Sequence, residues 1–158
     1  MENVPKVSEF MSKNFVYVTT DLGILEAIDV LTKNHVSNAP VIEKKDHQLK
    51  LLGFVTERDL LKFLSFNSFY EDVVQSKVEK IMKTHTVVID SSKTIFECEE
   101  IFEELNLRHL PVIGEGGQLV GVVSRHDCLK AALDMYLKDH NIDIDHKKLL
   151  ENRSNPSS

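Results

Sequence analysis

The sequence lacks any long apolar run. No segment approaches the ~18 consecutive apolar residues that a membrane span requires, and the first six residues carry none of the apolar character of a signal peptide. We therefore expect no membrane partner for this chain.

Basic charge is also scarce. Lys and Arg number 19 against 25 Asp and Glu, which gives a net charge of −6 at pH 7. Binding to nucleic acid or to an anionic membrane surface depends on a basic field. The acidic balance therefore argues against both as partners.

Cysteine occurs only twice, at Cys98 and Cys128, with no CxxC spacing. Both lie in helical patterns beside apolar neighbours, which favours two reduced, packed thiols over a disulfide or a metal site. Reduced thiols are typical of cytoplasmic proteins, so we predict a cytoplasmic location.

Motifs of catalysis are missing as well. The sequence contains no nucleophile elbow, HExxH, P-loop or glycine-rich dinucleotide fingerprint. Five glutamates between Glu97 and Glu104 crowd one predicted helix, a pattern that indicates a solvated acidic face. We expect a protein that is not an enzyme and holds no catalytic metal.

An internal repeat is present instead. Residues 16–18 recur as 87–89, and residues 39–42 recur as 110–113, both 71 positions later. After a shorter loop in the second copy the offset becomes 68, so that residues 53–56 match residues 121–124. A register kept over about 50 residues indicates two copies of one structural unit.

Each unit predicts the order β-α-β-β-α, and therefore an α+β fold. Strands are predicted at residues 16–18 and 87–89, and helices are expected to begin at Asp21 and at Ser91 or Ser92 as N-caps. One unit is too small to bury a comfortable core alone, so we expect the two to pack about a pseudo-twofold axis with clefts at the seam. The predicted boundaries are repeat 1 at residues 1–65, a connector with a helical turn at 66–77, repeat 2 at 78–137, and a polar tail at 138–158 with a disordered end.

These features resemble the cystathionine-β-synthase (CBS) domain family. The resemblance spans roughly residues 5–136 and rests on a Met before the first strand, a Pro-Val strand, a Gly-hydrophobic strand and a Ser/Thr-x-x-Asp helix start, all present twice. It implies a stand-alone tandem CBS pair, or Bateman module. Such pairs commonly bind adenosine-containing ligands in their two clefts.

The repeated Ser/Thr-x-x-Asp motif supplies the first candidate site residues. Thr56 and Asp59, with their counterparts Ser124 and Asp127, lie where a strand gives way to a helix. A helix N-terminus favours a phosphate, and the Asp can accept hydrogen bonds from ribose hydroxyls. The alternative is that these residues only cap the helices. The cations expected near the phosphates are Arg58, Arg125 and His126.

The stretch before Pro111 distinguishes the two units. Arg108 and His109 resemble the phosphate-contacting cations of nucleotide-sensing family members, whereas repeat 1 has Ser37 and Asn38 there, with no cation. The cleft that gathers the second unit's residues is therefore expected to be the main one. By resemblance, adenine is recognised through the backbone of the first strand and through apolar walls. The residues assigned to this role are Val16, Val87, Phe54 and Val122, and Pro111 is also predicted to contact the ligand.

The resemblance leaves two functions open. The first is a regulatory sensor of AMP, ADP or ATP, with S-adenosylmethionine or NAD also possible, that signals through an unidentified effector protein. The second is a ligand-free scaffold for dimerisation. A homodimer is expected through apolar residues at Phe63, Leu64, Phe66, Phe69, Phe102 and Leu133.

Overall fold

The structure is a computed structural model that describes residues 3–67 and 72–144. Part of the predicted connector, including Phe69, lies outside the described residues. So does most of the predicted C-terminal tail, from residue 145 to residue 158, with the end that was expected to be disordered.

The two units have the predicted α+β architecture. In the first unit the elements are α1 (Val7–Phe10), β1 (Val18–Thr19), α2 (Ile24–Lys33), β2 (Asn38–Lys45), β3 (Gln48–Thr56) and α3 (Glu57–Asn67). A short helix α4 (Asp72–Gln75) is the helical turn expected in the connector. In the second unit they are a 3₁₀ turn (Val78–Lys80), β4 (Ile89–Asp90), α5 (Ile95–Leu105), β5 (His109–Ile113), a 3₁₀ turn (Glu115–Gly117), β6 (Leu119–Ser124) and α6 (Arg125–Asp139).

Each unit forms a three-stranded sheet, and the two sheets have the same pattern. β1 lies parallel to β2 and β2 antiparallel to β3, while β4, β5 and β6 repeat that arrangement. Even the irregularity in register recurs, between Val41 and Ile42 in one sheet and between Val112 and Ile113 in the other. The sequence repeat is therefore also a repeat in hydrogen bonding.

The helix starts differ from those predicted. α2 begins after Gly23, whose N–H donates to the Glu26 carboxylate at 3.0 Å. α5 begins after Thr94, whose N–H donates to Glu97 at 2.8 Å. Asp21, Ser91 and Ser92 are thus wrong as caps, because the turn between strand and helix is longer than expected.

The first strand of each unit is shorter than predicted and starts two residues later. Only residues 18–19 and 89–90 pair with a neighbouring strand. Val16 and Val87 therefore precede the sheets instead of lying in them. Within the described part of the chain, no hydrogen bond uses the backbone groups of Val16.

The segment that precedes each unit in the sequence packs into the core of the other unit. Val7 of α1 is fully buried in the core of the second unit, where its N–H donates to the Lys93 carbonyl at 2.8 Å. Val78 is fully buried in the core of the first unit and donates to the Leu22 carbonyl at 2.9 Å. This exchange joins the two units into one structure.

A single contact marks the pseudo-twofold axis. Asn38 Nδ2 lies 3.2 Å from His109 Nδ1, and these two residues are equivalent in the repeat, 71 positions apart. A contact between equivalent residues of a twofold arrangement lies on its axis. The axis therefore passes between the starts of β2 and β5.

The helices of the described residues are all too short or too polar to cross a membrane.

Candidate functional site

A cleft of about 480 Å³ opens beside the axis and takes its lining from both units. The first unit contributes the stretch before β1, the end of α2 and the start of β2. The second contributes the start of β5, the end of β6 and the first turn of α6. The lining residues are Ser12, Asn14, Phe15, Val16, Asn34, His35, Val36, Ser37, Asn38, Pro40, His109, Val122, Ser124 and Asp127.

Asp127 is held rigidly at one side of this cleft. Its Oδ2 accepts hydrogen bonds from the Ser124 N–H at 2.8 Å and from the Ser124 hydroxyl at 2.7 Å, and its own N–H donates to Ser124 Oγ at 3.1 Å. This is a reciprocal capping box at the start of α6. Oδ1 receives no hydrogen bond from any described residue, so one carboxylate oxygen is fixed and available to a ligand.

The N-terminus of α6 has fewer free donors than the sequence predicts. The Arg125 N–H donates to the Arg108 carbonyl at 3.1 Å, and the Asp127 N–H is used by the cap. A helix N-terminus binds a phosphate through unsatisfied N–H groups. This end of α6 is consequently better suited to holding hydroxyl groups through Asp127 than to cradling a phosphate.

His109 faces Asp127 from the start of β5 and is half-buried. Burial lowers the pKa of His109 below its ordinary value of 6.5; the charge of Asp127 acts against this shift and that of Arg108 adds to it. The imidazole is therefore neutral at pH 7. Because the Asn38 amide donates to Nδ1, the remaining proton sits on Nε2, where it can be donated to a ligand.

Apolar groups also line the cleft. Val16 and Phe15 come from the chain before β1, Pro40 from β2 and Val122 from β6. A flat aromatic base fits between such surfaces, and the unused backbone groups of Val16 can pair with its edge. Of the residues predicted from sequence, the cleft thus brings together Val16, His109, Val122, Ser124 and Asp127.

The remaining predicted motif residues occupy equivalent positions across the axis. Thr56, Asp59, Phe54, Val87 and Pro111 are the counterparts of Ser124, Asp127, Val122, Val16 and Pro40. Val87 is more exposed than Val16, with 40% of its surface accessible.

Asp59 differs from Asp127 in its partners. Its Oδ2 accepts from the Thr56 hydroxyl at 2.7 Å and also forms an ion pair with Lys83 Nζ at 3.2 Å. Lys83 stands where the first unit has Ser12 in the 71-residue register. The carboxylate of the first unit's motif is therefore already paired with a cation, and that of the second unit is not.

The three predicted arginines do not line the 480 Å³ cleft. Arg125 turns towards the end of α5, where its guanidinium donates to the Leu107 carbonyl and to Asn106 Oδ1 at 2.9 Å. Arg58 lines a separate groove between α2 and α3, and Arg108 is exposed beside His109. His126 is exposed on α6.

Several lining residues were not predicted from the sequence. His35, Ser37 and Asn38 reach the cleft from the turn after α2, in which His35 has a left-handed backbone with φ of 53°. The equivalent residue, Asn106, is also left-handed, with φ of 49°, and caps α5 directly. The 71-residue register contains the signal for Asn38, since it is the counterpart of His109.

In the described ranges, no three His, Cys, Asp or Glu side chains are grouped so that they could hold a metal ion.

Comparison with known proteins gives two matches to one family model. The model described as CBS domain matches residues 7–66 and again residues 78–134. A CBS domain-containing protein of Dictyostelium discoideum is 31% identical over 132 residues, covering 78% of this chain and 88% of that protein. An inosine-5'-monophosphate dehydrogenase of Aquifex aeolicus is 31% identical over 130 residues, but this chain spans only 25% of its length.

A solved structure has the same fold. The crystal structure of the Arabidopsis thaliana protein CBSX2 in complex with AMP matches with a TM-score of 0.70 and 26% sequence identity, covering 83% of this chain and 98% of that one.

Proposed function

This chain belongs to the CBS-domain family, and from that premise we propose that it is a regulatory module that binds an adenosine-containing nucleotide in the cleft between its two repeats. The observation that carries the proposal is the cleft beside the axis, in which Asp127 offers a fixed carboxylate oxygen and apolar residues share the lining. Its volume of about 480 Å³ lies within the range of small-molecule sites, roughly 300–1,000 Å³. The AMP complex of CBSX2 supports this ligand class.

The ribose is assigned to Asp127. Because Ser124 holds Oδ2, the carboxylate is oriented before the ligand arrives, and Oδ1 can accept from a ribose hydroxyl. A hydrogen bond to a charged group contributes about 1.5–3 kcal/mol. The adenine is assigned to the space between Val16, Pro40 and Val122, with the free backbone of Val16 at its edge.

The phosphate is assigned to His109. None of the described residues that line the cleft is Lys or Arg, and the charged lining residue, Asp127, is an anion. A triphosphate would therefore meet no compensating positive charge, whereas one phosphate can accept from His109 Nε2. The proposal is consequently a preference for AMP over ADP, and for ADP over ATP.

Thermal unfolding of the full chain with each ligand tests the assignment. AMP is expected to raise the melting temperature by several degrees, since ligand at a hundred times Kd adds about 2.7 kcal/mol to the free energy of unfolding. ATP, NAD and S-adenosylmethionine at the same concentration are expected to do less. Asp127→Asn should remove most of the AMP shift.

Asp59→Asn is the matched control. It disturbs the same kind of helix cap in the other repeat, but its carboxylate is paired with Lys83. This variant should lose stability to a similar extent and keep the AMP shift. Equal loss of the shift in both variants, or no shift with AMP, ADP, ATP, NAD or S-adenosylmethionine in the unmodified chain, would overturn the proposal.

The proposed module acts by binding and catalyses no reaction, and its output passes through a homodimer or an unidentified effector protein. A stripe of exposed apolar residues on α6 supports a protein partner: Leu129, Leu133 and Tyr136 are 70%, 46% and 55% exposed. Of the apolar residues predicted for this role, Phe102 is excluded because it is only 4% exposed and belongs to the core. The proposed location is the cytoplasm, where adenine nucleotides are available to such a sensor.

A further inference from the structure

The two cysteines of this chain touch each other. Cys98 lies on α5 and Cys128 on α6, and their Sγ atoms are 3.3 Å apart. Both are free thiols, and they are the only two cysteines among 158 residues. A buried residue contacts about 6–12 others, so random placement would seldom bring the only two together.

Packing alone does not require sulfur at these positions. The equivalents of Cys98 and Cys128 in the first repeat are Ala27 and Leu60, which are 0% and 2% exposed in the core of that unit. The same location is therefore filled by two hydrocarbon side chains in one repeat and by two thiols in the other. Both positions of the pair therefore differ between the two repeats.

Of the two buried thiols, Cys128 is the one that borders a surface groove. Cys98 is fully buried, whereas Cys128 is 8% exposed and lines a groove of about 620 Å³ between α5 and α6. The charged residues that line this groove are Glu99, Glu103 and Arg125. Because acidic groups outnumber the one cation, a small neutral oxidant is favoured over an anionic disulfide.

The contact between the sulfurs also shifts the pKa values of the two thiols in opposite directions. The hydrogen bond between the sulfurs lowers the pKa of the Cys128 thiol, and the same bond together with burial raises the pKa of Cys98. Exposure and the direction of this shift both favour Cys128 as the thiol that meets an oxidant. A thiolate is the nucleophilic form of cysteine.

We propose that Cys98 and Cys128 form a redox-responsive pair that hydrogen peroxide closes into a disulfide between α5 and α6. In the first step the Cys128 thiolate attacks one peroxide oxygen, an S–O bond forms, the O–O bond breaks and hydroxide leaves. In the second step the Cys98 sulfur attacks Cys128, the S–S bond forms, the S–O bond breaks, and the Cys98 proton leaves with the hydroxide as water. Two thiols are oxidised and one peroxide is reduced to two waters.

Little movement is needed for the second step. A disulfide bond is about 2.05 Å long, so the sulfurs must approach by only about 1.3 Å from their separation of 3.3 Å. The new bond would fix the first turn of α6 to α5. That turn carries Asp127, so formation of the disulfide would affect a residue at the edge of the cleft between the repeats.

Intact mass measurement of the full chain after treatment with hydrogen peroxide tests the proposal without any nucleotide. The expected product is lighter by two hydrogens, takes up no maleimide after denaturation, remains a single chain on a non-reducing gel, and regains both thiols with dithiothreitol. Retention of both thiols, a product linked between two chains, or stable overoxidation of Cys128 alone would each overturn it.

Two variants taken from the first repeat separate the roles. Cys98→Ala should leave a sulfenic acid on Cys128 that a cyclic 1,3-diketone captures, which the unmodified chain should not show. Cys128→Leu should protect Cys98 from oxidation in the folded protein. Capture at Cys98 in Cys128→Leu would contradict the assignment of Cys128 as the attacking thiol, and a double variant that reacts like the unmodified chain would show that the mass change arises elsewhere.

Discussion

His109 and Asn38 occupy equivalent positions on the pseudo-twofold axis, but only His109 can titrate. Burial lowers the pKa of the free imidazole below 6.5, and a phosphate at Nε2 would raise it again because an anion favours the protonated form. The added proton lies on Nδ1, so the Asn38 amide must rotate to present its oxygen there in place of its nitrogen. Binding then takes up a proton, so affinity rises as pH falls through the pKa of the complex. Near pH 6 the phosphate itself becomes protonated, and the gain ends.

The expected result is AMP affinity that increases roughly tenfold between about pH 8 and pH 6, equivalent to ~1.4 kcal/mol. Calorimetric titration of AMP across this range measures it. His109→Asn reproduces the residue of the first repeat and should flatten the profile while retaining some binding. A pH dependence that survives in this variant would assign the proton to another group.

Much of the candidate site could be predicted at the residue scale, because the repeat identifies positions directly. Asp127, Ser124 and His109 were recognised from motifs, and the structure brings them into one cleft with Val16. Arg125 lies away from the cleft for a physical reason. A long side chain can turn to either side of a helix, and Arg125 finds two acceptors at the end of α5 that the sequence pattern does not show.

At the scale of elements, β6 depends on close contact with the chain before β1. Ser12 exchanges two backbone hydrogen bonds with Val122, at 2.9 and 3.0 Å, and this bridge positions the stretch that lines the cleft. A Cβ atom on the neighbouring Gly121 would lie 2.9 Å from the Ser12 carbonyl oxygen and 2.6 Å from Met11 Sδ. The backbone can approach only because residue 121 has no side chain.

Gly121→Ala is therefore expected to lower the free energy of unfolding by about 1–3 kcal/mol, as overpacking does, and to weaken AMP binding. Urea unfolding and AMP titration measure the two effects. Gly23→Ala is the control, since the nearest atom there is a Glu26 carboxylate oxygen at 3.1 Å that can move, and φ of −63° suits alanine. A similar loss of stability and of AMP affinity in both variants would argue against the close backbone contact at Gly121 as the cause.

Element order and type could be predicted from the sequence, while element ends could not. The repeat and its apolar periodicity determine where helices and strands occur. The start of α2 depends on Glu26 reaching back to the Gly23 N–H, and the length of β1 depends on where β2 offers a partner. The first is a local contact over three residues that competes with other caps nearby, and the second is a tertiary contact that local propensity does not reveal.

At the scale of the whole molecule, exchange of the segments around Val7 and Val78 makes the repeats interdependent. Val7 precedes the first unit in the sequence but completes the core of the second, and Val78 precedes the second unit but completes the core of the first. Sequence repetition predicts two similar units but cannot predict this exchange, because either pairing satisfies the same apolar pattern. A ligand that bridges both units therefore acts on one joined body.

The exposed stripe on α6 is the surface on which we expect the proposed dimer to form. Leu129, Leu133 and Tyr136 recur at helical spacing on the face opposite the buried Cys128 and Ala131. In a symmetric dimer each stripe would pack against its own copy, so Leu133→Glu would set two like charges across the interface.

Sedimentation equilibrium should show a dimer for the unmodified chain and at least tenfold weaker association for this variant. Leu25→Glu, at a leucine of α2 that is 44% exposed, should leave association unchanged. A monomer at every concentration, or dissociation by Leu25→Glu as well, would exclude α6 as the dimer surface.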